Sequence, residues 1–193
     1  MLGTQATVEA VVAELLAAYG IPIVVDPVLV STSGGVLLDA GGRAALTGSL
    51  FRIATLVTPN VPEAAALLGE PLATDEADLI RQGERLLGFG SQAILLKAGH
   101  PYAGGTETEE AVDLLISGAA PGAGPANARS AHGCRVNEFA IERIASKRVV
   151  GSSRGTGCAL ASGIAAGLAA GRPLSEACRA AKRYVLGMLA PAS

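Results

Sequence analysis

The order in which helix-like and strand-like segments alternate is what most restricts how this chain can fold. Residues 4–19 set Val8, Val11, Val12, Leu15 and Leu16 at helical spacing, and Gly20 follows as a C-terminal stop. Residues 21–30 are rich in β-branched side chains and read as a fully buried strand ending near Asp26-Pro27. The alternation continues with a helix over 41–50, a strand over 53–57, a short helix over 62–68, an amphipathic helix over 75–87 and a strand over 93–97. Such an order predicts βαβ units, an α/β fold with a mostly parallel sheet flanked by helices. Two late strands, 111–116 and 139–144, bracket a Gly-, Pro-, Ala-, Ser- and Asn-rich loop over 117–135 and predict an antiparallel hairpin at the sheet edge. Helices over 157–170 and 174–189 close the chain. Gly163, Gly167 and Gly171 fall four apart, which places them on one helical face and allows close packing there.

Composition removes several classes of function. At 193 residues the chain is sized for one domain, 1–193, and a composition half apolar and 17% charged is that of a packed protein. A net charge of -2, 3% aromatic residues and no Trp leave neither a basic stripe nor stacking platforms, so nucleic acid is not an expected partner. Cys134, Cys158 and Cys178 are widely spaced, with no CxxC pair and only His100 and His132 beside them, which argues against a disulfide framework or structural zinc. No apolar run reaches the roughly 18 to 20 residues of a membrane span, and no basic stretch precedes an apolar one at the N-terminus. A cytoplasmic, reducing environment is expected.

The clearest chemical signal is Ser153-Arg154-Gly155-Thr156-Gly157-Cys158, a glycine-rich turn feeding a small-residue helix. Such a turn presents unpaired N–H groups at a helix N-terminus, where negative charge such as phosphate is favoured. A cysteine there feels the same field, which makes Cys158 a candidate base or nucleophile; the structural alternative is a small residue buried at a strand-to-helix junction. Ligands of open parallel sheets sit beyond the carboxyl ends of the strands, and those ends carry Asp26, the stretch Asn60 to Glu63, and Lys97. Carboxylates, a lysine and an anion cradle suit a nucleoside triphosphate with Mg2+. Asn60 and Glu63 also have capping-box spacing, and Lys97 could be a solvated strand end. Neither GxxxxGK[ST] nor GxGxxG after the first strand is present, so Walker-type ATPases and Rossmann dehydrogenases are not supported.

The stretches IPIVVDPVLV, LVTPNVPEAAALLG, AILLKAGH, AVDLL, RGTGCALASGIAAGLAAG and AAKRYV resemble, in order and spacing, the C-terminal two thirds of hydroxymethylpyrimidine and phosphomethylpyrimidine kinases of thiamine biosynthesis, in the ribokinase-like superfamily. The resemblance implies a ribokinase-like fold, ATP and Mg2+ as cofactors, a small-molecule pyrimidine acceptor and a possible homodimer. It implies an anion hole built by Gly155, Thr156, Gly157 and Cys158, with Thr156 near the nucleotide phosphates and Cys158 as base facing the acceptor hydroxymethyl. Asn60 and Glu63 match the element that organises Mg2+, Asp26 and Lys97 match positions facing the nucleotide phosphates, and Lys182 matches one near the nucleotide. Val28 and Met1 match positions that contact the pyrimidine.

The chain departs from the family pattern in three places. Arg154 stands where relatives usually have His, the 117–135 loop is longer than expected, and the family's opening strand and glycine-rich acceptor segment would lie upstream of Met1. On this reading N-terminal strands are missing, a sheet edge and an apolar face are exposed, and the polypeptide alone is expected to be a weak kinase or none. Pyridoxal or pyridoxine kinases of the same superfamily are the nearest rival, and a non-catalytic nucleotide-binding remnant is the rival from another class.

Overall fold

The structure is a computed structural model and describes residues 2–18, 20–30, 34–98, 110–118, 139–148 and 155–189. Helix α1 (Gln5–Ala17) begins at Thr4, whose hydroxyl accepts the Thr7 N–H. Strand β1 (Val24–Val25) follows. Asp39 caps α2 (Ala40–Ala45), which runs through a π-helical turn (Leu46–Leu50) into α3 (Phe51–Ile53). Then come β2 (Leu56–Val57), α4 (Val61–Leu68), α5 (Glu76–Leu87) and β3 (Ala93–Ala98). Strands β4 (Glu110–Gly118) and β5 (Phe139–Lys147) precede α6 (Thr156–Ala169) and α7 (Leu174–Leu189).

The five strands form one sheet in chain order, β1-β2-β3-β4-β5. β1, β2 and β3 are parallel, and β4 lies antiparallel between β3 and β5. Four strands therefore point one way and β4 alone runs against them. This is the expected α/β sheet with an antiparallel edge pair, and the ends of β1, β2 and β3 come out on one side.

Strand lengths differ from expectation where proline or a helix intervenes. Only Val24–Val25 of the ten-residue run 21–30 joins the ladder, because Pro22 and Pro27 have no N–H to donate. Ile23 and Val25 still accept from Leu56 and Thr58, but Ile21 and Val30 are exposed, so the run is not fully buried. Ile53 belongs to α3 rather than to β2.

Residues of β3 alternate between two layers of core. Ile94 and Leu96, with Leu114 and Ile116 of β4, pack against α5 through Leu79 and Leu86 and against the α2 to α3 segment through Leu46, Leu50 and Phe51. Ala93, Leu95, Leu115 and Ile144 pack on the other face against Leu160 and Ile164 of α6 and Ala177, Cys178 and Ala181 of α7. Lys97 shares the parity of Ala93 and Leu95, so the sheet aims it towards α6 and α7.

Two of the three spaced glycines do what their spacing predicts. A Cβ at Gly163 would stand 3.1 Å from Ala181 Cβ, and one at Gly167 would stand 3.0 Å from Ala177 Cβ and 3.3 Å from its Cα. Gly171 is different. It lies past the end of α6 with φ 76°, and the Gly171 N–H to Leu168 O and Arg172 N–H to Gly167 O bonds form a Schellman stop. Gly167→Ala is expected to lower stability by about 1 kcal/mol, overpacking outweighing a gain in helix propensity of about 1 kcal/mol. Gly187→Ala in α7, where nothing lies within 4 Å of the added Cβ, should instead raise stability by up to about 1 kcal/mol. Thermal unfolding of the two variants checks both signs.

Candidate functional site

The parallel strands deliver Asp26, Thr58 and Lys97 to one end of the sheet, and α6 brings its N-terminus to the same place. Asp26 follows β1 directly, since Pro27 ends the ladder there. Thr58 follows β2, is fully buried, and its hydroxyl lies 3.1 Å from Asp26 Oδ1. Lys97 sits on the last turn of the β3 pleat; its N–H donates to Pro59 O at 2.8 Å, and its ammonium donates to Asp26 Oδ1 at 2.8 Å.

Asn60 and Glu63 form a complete capping box on α4. Glu63 N–H donates to Asn60 Oδ1 and Asn60 N–H donates to Glu63 Oε2, each at 2.7 Å. The structural alternative raised by their spacing is thus realised, yet it also does something further. The box fixes the Glu63 carboxylate so that Oε2 lies 3.9 Å from Lys97 Nζ. Asn60 contributes through this box, because its side-chain oxygen is already engaged by the helix.

Helix α6 begins at Gly155, whose φ of 84° places it in the left-handed region that favours glycine, and no side chain caps the helix. Ala159 N–H returns to Gly155 O at 2.8 Å, while helix geometry gives the amides of Thr156, Gly157 and Cys158 no intrahelical acceptor. Gly157 is where the helix meets the charged pair: a Cβ there would stand 3.4 Å from Lys97 Nζ and 3.9 Å from Asp26 Oδ2. Cys158 is exposed in the first turn, not buried at a junction. The alternative of a buried filler applies instead to Cys178, whose thiol is pushed up to about 12 by burial and by the charges of Glu142 and Asp113.

Burial holds the Glu63 carboxyl above its usual range; Lys97 and the Asn60 N–H pull it down, and the Asp26 charge pushes it up again. The cluster therefore has a positive lobe, the Lys97 ammonium and the α6 N-terminus, beside a negative lobe made by Asp26 and Glu63. A metal-bound polyphosphate presents the complementary pattern. Among the described residues no group of three or more His, Cys, Asp or Glu converges. Two hard carboxylates nevertheless fit Mg2+, which keeps several waters and takes phosphate oxygens for the rest of its shell.

Other expected residues make different contacts or lie outside the described residues. Lys182 is buried on α7, and its ammonium is consumed by Ala111 O at 2.9 Å, Ile144 O at 2.6 Å and Asp113 Oδ2 at 2.9 Å. Its ammonium is thus engaged within the protein, beside the β4 residue that pairs with Lys97. Val28 lies at the same sheet end as Asp26, in a tight turn closed by its own N–H to Asp26 O. Met1, His100, His132, Cys134 and Arg154 lie outside the described residues, as does most of the 117–135 loop. Sequence reasoning missed Thr58, the residue directly after β2, and Asp113, the one charge inside the apolar run AVDLL. Two hollows among the described residues lie elsewhere, about 340 Å³ beside Arg52 and Phe89 and about 530 Å³ along the α6 and α7 surface.

The chain is similar to known proteins. A family model described as phosphomethylpyrimidine kinase matches residues 1–193. A hydroxymethylpyrimidine/phosphomethylpyrimidine kinase of Rhizobium meliloti is 38% identical over 185 residues, covering 96% of this chain and 60% of the relative. A crystal structure of phosphomethylpyrimidine kinase from Clostridium difficile superposes with a TM-score of 0.70 at 27% identity, over 98% of this chain and 67% of that one. The pyridoxal kinase of Staphylococcus aureus in complex with AMP-PCP gives 0.77 at 25% identity, over 98% of this chain and 60% of that one. The chain thus spans about 60% of the length of the Rhizobium relative.

A carboxyl raised on folding binds protons more readily when folded, so its charged form costs stability as pH climbs above the ordinary value of 4.5. Glu63→Gln keeps an acceptor for Asn60 and removes that charge. It should raise the unfolding temperature near pH 7 by roughly 2–4 °C, the shift that about 1 kcal/mol produces in a domain of this size. The gain should vanish near pH 4, and calorimetry at both pH values checks it.

Proposed function

We propose, from the premise that this chain belongs to the phosphomethylpyrimidine kinase family, that it carries the nucleotide-binding and phosphoryl-transfer centre of an ATP-dependent kinase. The proposed acceptors are 4-amino-5-hydroxymethyl-2-methylpyrimidine and its monophosphate, in thiamine biosynthesis. The observation that carries this reading is the packing of Gly157, at the α6 N-terminus, against the Lys97 and Asp26 pair. It brings the unpaired first-turn amides of α6 beside an ammonium that is itself paired with a carboxylate.

Phosphoryl transfer asks the protein mostly for positioning and charge neutralisation. Lys97 would neutralise the nucleotide phosphates, and the first-turn amides of Thr156, Gly157 and Cys158 would receive the charge on the phosphoryl group in flight. Glu63 and Asp26, with waters, would hold Mg2+, which when bound neutralises phosphate charge. Cys158 Sγ, exposed on the same turn, would take the proton of the attacking hydroxymethyl as its oxygen bonds to phosphorus and the bond to the ADP oxygen breaks. Val28 would border the pyrimidine. In this reading the chain acts on small molecules and pairs with a second copy as a homodimer.

AMP-PCP with Mg2+, titrated by calorimetry, should bind the chain, and Lys97→Met should weaken it at least about tenfold, the scale of one charge-assisted hydrogen bond. Cys158→Ala should leave that affinity nearly unchanged and cut ATP-dependent phosphorylation of the hydroxymethylpyrimidine by roughly two to four orders of magnitude. An unchanged rate removes Cys158 from the chemistry. Faster phosphorylation of pyridoxal in direct competition would reassign the acceptor, and absence of AMP-PCP binding would sink the kinase reading.

A further inference from the structure

The two carboxylate oxygens of Asp26 have different surroundings. Oδ1 accepts from the Lys97 ammonium at 2.8 Å and from the Thr58 hydroxyl at 3.1 Å. Oδ2 has no hydrogen-bond partner among the described residues, and it lies 3.9 Å from where a Cβ on Gly157 would stand. One oxygen is thus held within the sheet end, and the other is turned towards the unpaired amides that open α6.

Of the two donors to Oδ1, Thr58 is the one fixed by its own surroundings. It is fully buried, and its N–H donates to Val25 O at 2.9 Å, which ties it to the end of β1. Pro59 follows it, which restricts Thr58 to extended backbone, and branching at Cβ restricts its χ1. The hydroxyl therefore has few directions open to it, and an ionised carboxylate beside it can only accept. Asp26 and Thr58 each stand one residue past the paired Val25 and Val57, and the pleat turns both to the face that carries Leu56. Lys97 is held differently. Its ammonium rides on a flexible stem and also has Glu63 Oε2 at 3.9 Å. The proposed function gives that ammonium to the nucleotide phosphates, and a lysine drawn to a phosphate holds Asp26 less firmly.

A hydroxyl is not needed to fill this place. Val25, Leu56 and Val57 around it are buried and apolar, and valine has the outline of threonine without the polar atom. What valine could not supply is a donor that stays on Asp26 when Lys97 turns away. We propose that Thr58 is a positioning residue: its hydroxyl holds Oδ1 of Asp26, so that Oδ2 stays aimed at the α6 N-terminus, where a metal-bound phosphate would lie. This deepens the kinase reading and rests on it for the identity of the ligand.

Thr58→Val removes the donor and keeps the shape, whereas Thr58→Ser keeps a donor. The readouts are the NMR resonance of the Asp26 carboxyl carbon without nucleotide, and the factor by which Mg2+ tightens the binding of AMP-PCP. The valine variant should shift the resonance and reduce the Mg2+ factor about tenfold; the serine variant should match the unaltered chain in both. A valine variant that keeps the full Mg2+ factor, or a serine variant that loses it, overturns the proposal. Equal weakening with and without Mg2+ overturns it too, because a merely structural role acts in that way. If the unaltered chain binds no AMP-PCP, the kinase reading is discarded and the resonance decides alone: a shift in the valine variant and none in the serine variant upholds the positioning, and any other pattern refutes it. Should the valine variant fail to fold, the couplings of the Asp26 Hβ protons in the unaltered chain with AMP-PCP and Mg2+ decide: one fixed rotamer supports the proposal, and averaging over rotamers refutes it.

Discussion

Everything at the candidate site depends on where one ammonium group stands. Lys97 Nζ holds Asp26 at 2.8 Å, has Glu63 at 3.9 Å, and lies in contact range of the α6 N-terminus at Gly157. Without a cation at that point the two carboxylates would face each other in a largely buried setting, and like charges at short range raise each other's cost of ionisation. With it both carboxylates have a cation between them and a helix terminus that itself favours anions alongside. The lysine thus lets opposite electrostatic lobes coexist in a small space, and that coexistence is what a metal-bound phosphate would require.

Getting the ammonium there is a matter of sheet geometry. Three parallel strands end on one side, so residues after each of them meet although 71 positions separate Asp26 from Lys97. The pleat decides which face Lys97 takes, and the parity that sends Leu95 into the α6 and α7 layer sends Lys97 to the helix terminus. Gly163 and Gly167 then let α7 lie tight on α6. That contact holds α6 against the sheet and brings Lys182 of α7 within reach of Asp113 of β4. Packing far from the chemistry therefore reaches the site through backbone placement.

The candidate site holds buried charge at a cost to stability. Burial keeps Glu63 and Asp113 above the ordinary carboxylate range, so each charge is held at some cost by its lysine and by backbone N–H groups. Groups retained in that condition are of the kind found where proteins do work. By contrast Cys178, pushed up to about 12, is an inert thiol in an apolar layer, and Cys158 on the α6 first turn is, of the two described cysteines, the one open to solvent.

Element type and order were legible in the chain, because hydrophobic periodicity and turn residues are local signals: the helices, the parallel strands and the antiparallel edge pair all follow from them. Asp26, Lys97 and the glycine-rich turn could be read as candidates because residues after parallel strands are known to meet. Strand lengths could not be read, since a ladder exists only where two segments pair, and the prolines at 22 and 27 cut β1 to two residues. Nor could local spacing show that the Lys182 ammonium is engaged inside the protein. The sequence by itself determined which segments become strands and helices and which residues end them; tertiary structure alone decided which charges face one another, because hydrogen-bond partners far apart in the chain are chosen by register and packing.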